Sequence, residues 1–414
     1  MDVAETTELI SKNYLPHVLT LRTQSDGTHT TTEEKEKNQT YILSTEWDCP
    51  LEQLACYNAN IFWVNWIVDA PREYQLAKLP SNKDTSNMYI AQVGCRRYAV
   101  RLSSDLEYIR DEIRNHTSVV WKLAVYWEMA TEDFFEDLLE DGGSKKEKKK
   151  KRKAKKQHRG YDIPSIRVPI FESEIIQPDH DRQDGATAGI ATSFIPSLHL
   201  VHVRALVNKF LDPSIRESVL NDPDLSNVRF RVHLGMMSPP DEAKSPRLLS
   251  RPVYFDQLMH EADDYVPEWA YQMGISLAIL HWGCRLDATG VKFYLAMDPR
   301  RVRLWMTNFG DCRPLQPNRD ETSAMVHAVR GNSAWPRVPD RKCREISDEQ
   351  FELEMDVYKG FTWAYLHASR KILGNDRRTC AQDYPLRFVR QLTLMESEPG
   401  EPKKETKCFW KFWS

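Results

Sequence analysis

No two of the eight cysteines, at positions 49, 56, 95, 284, 312, 343, 380 and 408, form a Cys-x-x-Cys pair, and none groups with histidine at zinc-finger spacing. A structural zinc site is therefore not expected. No apolar run approaches the roughly 20 residues that span a bilayer. The opening MDVAETTELISKNYLP has neither the basic start nor the continuous apolar core of a signal peptide. Charge of one sign is also lacking, because 57 Lys+Arg balance 60 Asp+Glu to a net −3. The chain as a whole is thus no general attractor for nucleic acid, and any such binding has to be local. No internal repeat is present. Together these absences predict an intracellular protein with reduced thiols, in the nucleus or cytoplasm and not secreted. What the 414 residues do hold is 41% hydrophobic and 10% aromatic content, enough for two domains or one two-lobed domain.

Along the chain, residues 1–40 are polar and end in TTTEEKEKNQT without apolar periodicity, which predicts a disordered arm. Trp63 and Trp66 call for burial. SNMYIAQVGCRRYAVRL at 86–102 reads as a β-hairpin around Gly94-Cys95. In SSDLEYIRDEIRNH a serine cap precedes a helix with Leu106, Ile109 and Ile113 on one face. Trp121–Tyr126 reads as a further strand or buried segment. The stretch 132–160 passes from acidic EDFFEDLLED to KKEKKKKRKAKKQHR, whose eleven basic residues face only Glu147. Such a run cannot pack into a core and predicts an exposed insertion. NVRFRVHLGM at 227–236 alternates as a strand. DEQFELEMDVYKGFTWAYLHASRKILG is a long helix stopped by Gly374. The tail at 396–414 is charged and predicted to be flexible.

The most informative segment is 270–312, AYQMGISLAILHWGCRLDATGVKFYLAMDPRRVRLWMTNFGDC. It reads as a core helix carrying Met273, Leu277, Ile279 and Leu280, then a short acidic loop and two strands ending in Asn-Phe-Gly-Asp. His281 and Trp282 at the helix end read as core or capping residues.

The landmarks YAVRL, the helix with Glu112 and His116, Arg167-Val168-Pro169, RFRVHLG, LAILHW, RLDATGVKFYLAM and LWMTNFGDC fall in order over roughly residues 85–375. In that order the chain resembles a fungal domain family of unknown function whose members are often labelled zinc finger proteins. That family is in turn distantly similar to protein kinases. The resemblance implies an α+β, two-lobed, protein-kinase-like fold, with a small β-rich N-lobe carrying one helix and a mainly helical C-lobe. It divides the chain into an N-lobe-like segment at 41–126, the remainder of that lobe and its connection at 161–236, and a helical C-lobe with a pseudo-catalytic segment at 250–375.

It also assigns roles residue by residue. Arg101 stands where a kinase strand lysine contacts the nucleotide phosphates, and Glu112 where the helix glutamate holds that lysine. The phosphate-covering loop falls at 79–87, LPSNKDTSN, which contains no glycine and so cannot bring its backbone close to phosphates. Asp287 is the candidate catalytic base, set against a loop carboxylate that caps a turn. Lys292 replaces the metal-binding Asn five residues later and would repel Mg²⁺. Asn308-Phe309-Gly310 replaces Asp-Phe-Gly, and Asn308 offers Mg²⁺ only a neutral oxygen, with Asp311 as a partial substitute.

The resemblance therefore implies a non-catalytic, pseudokinase-type interaction module with a protein partner and no resident cofactor. An atypical phosphotransferase using Asp287, with ATP and Mg²⁺ held by Arg101, Glu112, Asn308 and Asp311, is the alternative. For the basic run, Lys145–Lys156 reads as a nuclear localisation signal for an import receptor or as a solvated spacer. A nucleic-acid-associated role through 145–159 is a third reading, weakened by the absence of interleaved aromatics.

Overall fold

The computed structural model describes residues 40–44, 72–78, 88–93, 96–132, 134, 163–176, 188–222, 228–246, 251–298, 301–316, 321–339, 347–374 and 383–394. The N-terminal arm, the basic run 145–159, the Gly94-Cys95 turn and the tail at 396–414 lie outside them. Among the described residues the fold is mixed α+β, with ten strands in two sheets and eight α-helices.

The first sheet is a closed antiparallel barrel. Its strands β1 (Thr40–Ser44), β2 (Arg72–Lys78), β3 (Met88–Val93), β4 (Arg96–Ser103), β5 (Phe171–Ile176) and β6 (Ala188–Ser193) run in the order β1-β2-β3-β4-β6-β5, and β1 closes on β5. The expected hairpin is β3–β4, paired from Met88↔Arg101 to Val93↔Arg96. In the second sheet, β7 (Phe230–His233), β8 (Pro252–Tyr254), β9 (Lys292–Asp298) and β10 (Arg301–Thr307) run in the order β10-β9-β7-β8. The segment 161–236 thus serves both sheets, because β5 and β6 close the barrel while β7 pairs with β9.

Helix α1 (Leu106–Thr131) corrects three local expectations. Its cap is Asp105, whose side chain accepts from Tyr108 N, and Ser103 Oγ instead accepts from Asp105 N. Leu106 is exposed rather than part of the buried face. Trp121–Tyr126 is helical, because the buried stripe Ile109, Glu112, His116, Val119, Leu123, Trp127 and Ala130 keeps a three-to-four spacing throughout. At 26 residues the helix is about 39 Å long. That length lets it serve two cores: Ile109 packs with Phe171, Ala188 and Ile190 of the barrel, and Val119 onward joins the main core.

The main core is built on α5 (Val266–Ala278) and α7 (Asp348–Leu373), with α2 (Leu200–Phe210), α3 (Pro213–Leu220), α4 (Phe255–Ala262), α6 (Thr322–Gly331) and α8 (Asp383–Leu394) around them. Helix α7 starts at a Ser347 cap and stops at Gly374, whose φ of 70° suits glycine. Residues 383–394 lie beyond the expected lobe limit at 375, yet Phe388, Val389 and Leu392 of α8 are buried in this core.

Candidate functional site

Two loops, 285–291 and 308–314, meet at the junction of barrel and main core. Helix α5 runs on into a π-helical turn at Ile279–Cys284, which ends where Arg285 turns left-handed. Among the described residues three non-glycine residues have positive φ, Arg285 (59°), Ala288 (64°) and Asn308 (69°), and all three lie in these loops. Such conformations cost energy for side-chain-bearing residues and concentrate where the surrounding structure dictates the backbone path.

Arg101, on barrel strand β4 between β3 and β6, is the hub. Its Nη1 donates to Glu112 Oε2 at 2.7 Å and to the Tyr108 hydroxyl at 3.1 Å, and its Nη2 donates to Asn308 Oδ1 at 2.9 Å. The Asn308 amide nitrogen donates in turn to Gly290 O at 2.5 Å and Asp311 Oδ2 at 3.0 Å. The Arg101 side chain is 19% exposed and that of Glu112 6%. Burial pulls the guanidinium pKa down, but the attraction and hydrogen bond of Glu112, helped by the charge of Asp311, outweigh it and the net shift is upward. Burial also raises the Tyr108 phenol to about 12, against the opposing pull of Arg101, so this hydroxyl stays neutral.

Four of the five expected site residues, Arg101, Glu112, Asn308 and Asp311, therefore form one hydrogen-bonded chain. Asp287 does not join it. Its Oδ1 accepts from Thr289 N at 3.0 Å and Arg313 N at 2.9 Å, and its Oδ2 accepts from Thr289 Oγ1 at 2.7 Å. Three of roughly four acceptor positions on the carboxylate are thus engaged by its own turn and the 313 backbone. Its backbone N–H also donates to Arg313 O. This is the geometry of a carboxylate that caps a turn. His281 is a core residue, with Nδ1 3.1 Å from the Tyr365 hydroxyl and a pKa lowered by burial to about 3.

Sequence reasoning missed Tyr108 and Asn115. Asn115 Nδ2 donates to Phe309 O at 3.0 Å and Cys312 O at 3.2 Å, which clamps the 308–312 loop to α1. His116, noted only as a landmark, meets Phe309 edge-on at 5.4 Å and hydrogen-bonds Pro169 O. Burial keeps its pKa below the ordinary histidine value. The available signal was a set of polar residues, 108, 112, 115 and 116, on one face of an amphipathic helix. Two glycines permit the close approach: a Cβ on Gly310 would lie 2.9 Å from Glu112 Oε2, and one on Gly290 would collide with Asp311 Cβ.

No family model and no curated protein matches this sequence. Among solved structures, the apo form of a thermostable mutant of aminoglycoside phosphotransferase APH(4)-Ia is 13% identical, covering 77% of this chain and 94% of that one at a TM-score of 0.20. A likeness this loose carries no residue role across. No group of three or more metal-binding side chains occurs among the described residues, and none of their helices is long and apolar enough to cross a membrane.

Proposed function

We propose that this chain is a non-catalytic, kinase-like interaction module in which the position of a nucleotide site has become a structural tie. The carrying observation is that the Arg101 guanidinium is engaged by Glu112, Tyr108 and Asn308 together. A phosphate-binding cation needs donors turned toward the ligand, and both Arg101 terminal nitrogens instead donate to protein oxygens. At the metal-binding position, Asn308 uses its carbonyl oxygen on Arg101 and its amide on Gly290 and Asp311. The glycine-free stretch 79–87 supports the same reading from the sequence side.

An atypical phosphotransferase would need Asp287 to take a proton from a substrate, whereas Thr289 and Arg313 hold that carboxylate. Residues 145–156 fit an import signal, and a nuclear protein partner is part of this proposal.

Thermal unfolding with ATP or ADP, each with Mg²⁺, Mn²⁺ or EDTA, tests it. The expected result is no shift. A ligand at 100 times its dissociation constant that binds the folded state alone adds about 2.7 kcal/mol and is readily visible. A metal-dependent shift abolished by Asn308→Ala would overturn the proposal in favour of the phosphotransferase.

A further inference from the structure

A groove of about 410 Å³ opens on the main core, away from the Arg101 network. Leu234, Met237, Phe255, Val357 and Tyr358 form much of its apolar lining, and Glu354 and Arg337 are its charged members. Met236, on the lining, is 42% exposed; Leu353, beside Glu354, is 52% exposed; and Leu394, at the end of α8, is 45% exposed. Met236 thus leaves apolar surface open at the groove itself.

The groove is joined to the end of α8. The hydroxyl of its wall residue Tyr358 lies 3.1 Å from Thr393 Oγ1, Arg337 donates to Arg330 O at 2.6 Å, and Arg330 donates to Leu392 O at 2.8 Å. From Leu394 the sequence continues for 13 residues, Met395–Lys407, before CFWKFWS at 408–414. Thirteen residues reach at most about 45 Å when extended, and Thr393, two positions before them, already touches the groove wall. Four aromatic residues, Phe409, Trp410, Phe412 and Trp413, surround Lys411 in this segment. Their chemistry matches the groove: apolar rings for the lining and indole faces for the Arg337 guanidinium.

We propose that this groove receives the chain's own C-terminal aromatic segment, Phe409–Trp413. Tethering makes the encounter intramolecular, at an effective concentration that a separate partner reaches only when abundant. A partner using the same groove has to displace the segment. The inference is independent of the nucleotide-site reading.

Cys408, immediately before the aromatics, provides the test. In full-length Met236→Cys protein, glutathione disulfide should oxidise the two thiols to a 236–408 disulfide, being itself reduced to two glutathione molecules. Peptide mapping should find that link within one chain, lost in Cys408→Ser. Replacing all four aromatics with serine should slow its formation at least tenfold. The same rate without the aromatics would reduce the link to chance collision and overturn the proposal, as would no link at all. A link between two chains would assign the groove to a second copy and overturn docking by the chain's own segment. Met236 is an exposed surface residue, and an unchanged Tm before oxidation establishes that the variant folds.

Discussion

At the scale of single residues, the Arg101–Glu112 pair is a charge interaction whose worth depends on both partners being present. Removing one member of such a buried pair strands the other, which typically costs 3–5 kcal/mol, whereas removing both costs far less. Arg101→Met should therefore lower unfolding stability by about 3 kcal/mol in urea titration. Adding Glu112→Leu should recover part of that loss, and strictly additive effects would show that the pair is uncoupled. The positions of this pair were legible in the sequence because strand and helix follow each other directly and carry opposite charges. Asn308 lies 207 positions from Arg101, and only the order of motifs brought it into view. Tyr108 and Asn115 were invisible for a physical reason. A neutral polar side chain on a mostly apolar helix face announces no partner until the backbone carbonyls it serves are placed beside it.

At the scale of elements, the helix that ends in the π-turn carries a titratable group with no route to water. His281 is fully buried, packed edge-on against Tyr365 and Phe388 and hydrogen-bonded to the Tyr365 hydroxyl. Its folded pKa of about 3 lies below the unfolded value of about 6.5, so the unfolded chain binds a proton that the folded chain refuses. The stability this group contributes is complete above pH 6.5 and is lost as pH falls toward 3, with a slope approaching about 1.4 kcal/mol per pH unit. His116 is shifted in the same direction and adds to it. His281→Asn keeps a donor near Tyr365 but cannot titrate. Its unfolding free energy should fall less steeply than wild type between pH 6.5 and 5, a window above most carboxylate titrations. Identical slopes would mean that His281 is already protonated or solvated in the folded protein. The same scale shows why α1 was read too short. Val119-Val120 and Trp121 have strand-forming side chains, and tertiary burial of a long apolar stripe overrode that local preference.

At the scale of the whole molecule, α1 and two backbone ties join the barrel to the main core. Arg167 runs beside β10, with Arg167 N donating to Leu304 O and Met306 N donating to Arg167 O. The Arg101–Asn308 bond crosses the same junction. Among the described residues, Ile109, Phe171, Ala188 and Ile190 form a buried cluster on the barrel side, apart from the main core, with Tyr108 and Ile113 packed on it. Because this cluster is separate from the main core, local opening of the barrel can occur while the paired helices at Val266–Ala278 and Asp348–Leu373 stay closed. Ile190→Ala removes buried methyl groups from this cluster, a change that costs about 2–5 kcal/mol in a packed core. Hydrogen exchange should accelerate in β3, β4 and β6 by at least tenfold and remain unchanged in the two core helices. Val119→Ala acts on the stretch of α1 embedded in the main core, and should accelerate exchange in the barrel and the core helices together. If Ile190→Ala loosened the core helices as strongly as the barrel, the two parts would unfold as one unit. The Arg101 network would then be an internal contact of a single cooperative body, not a tie between two.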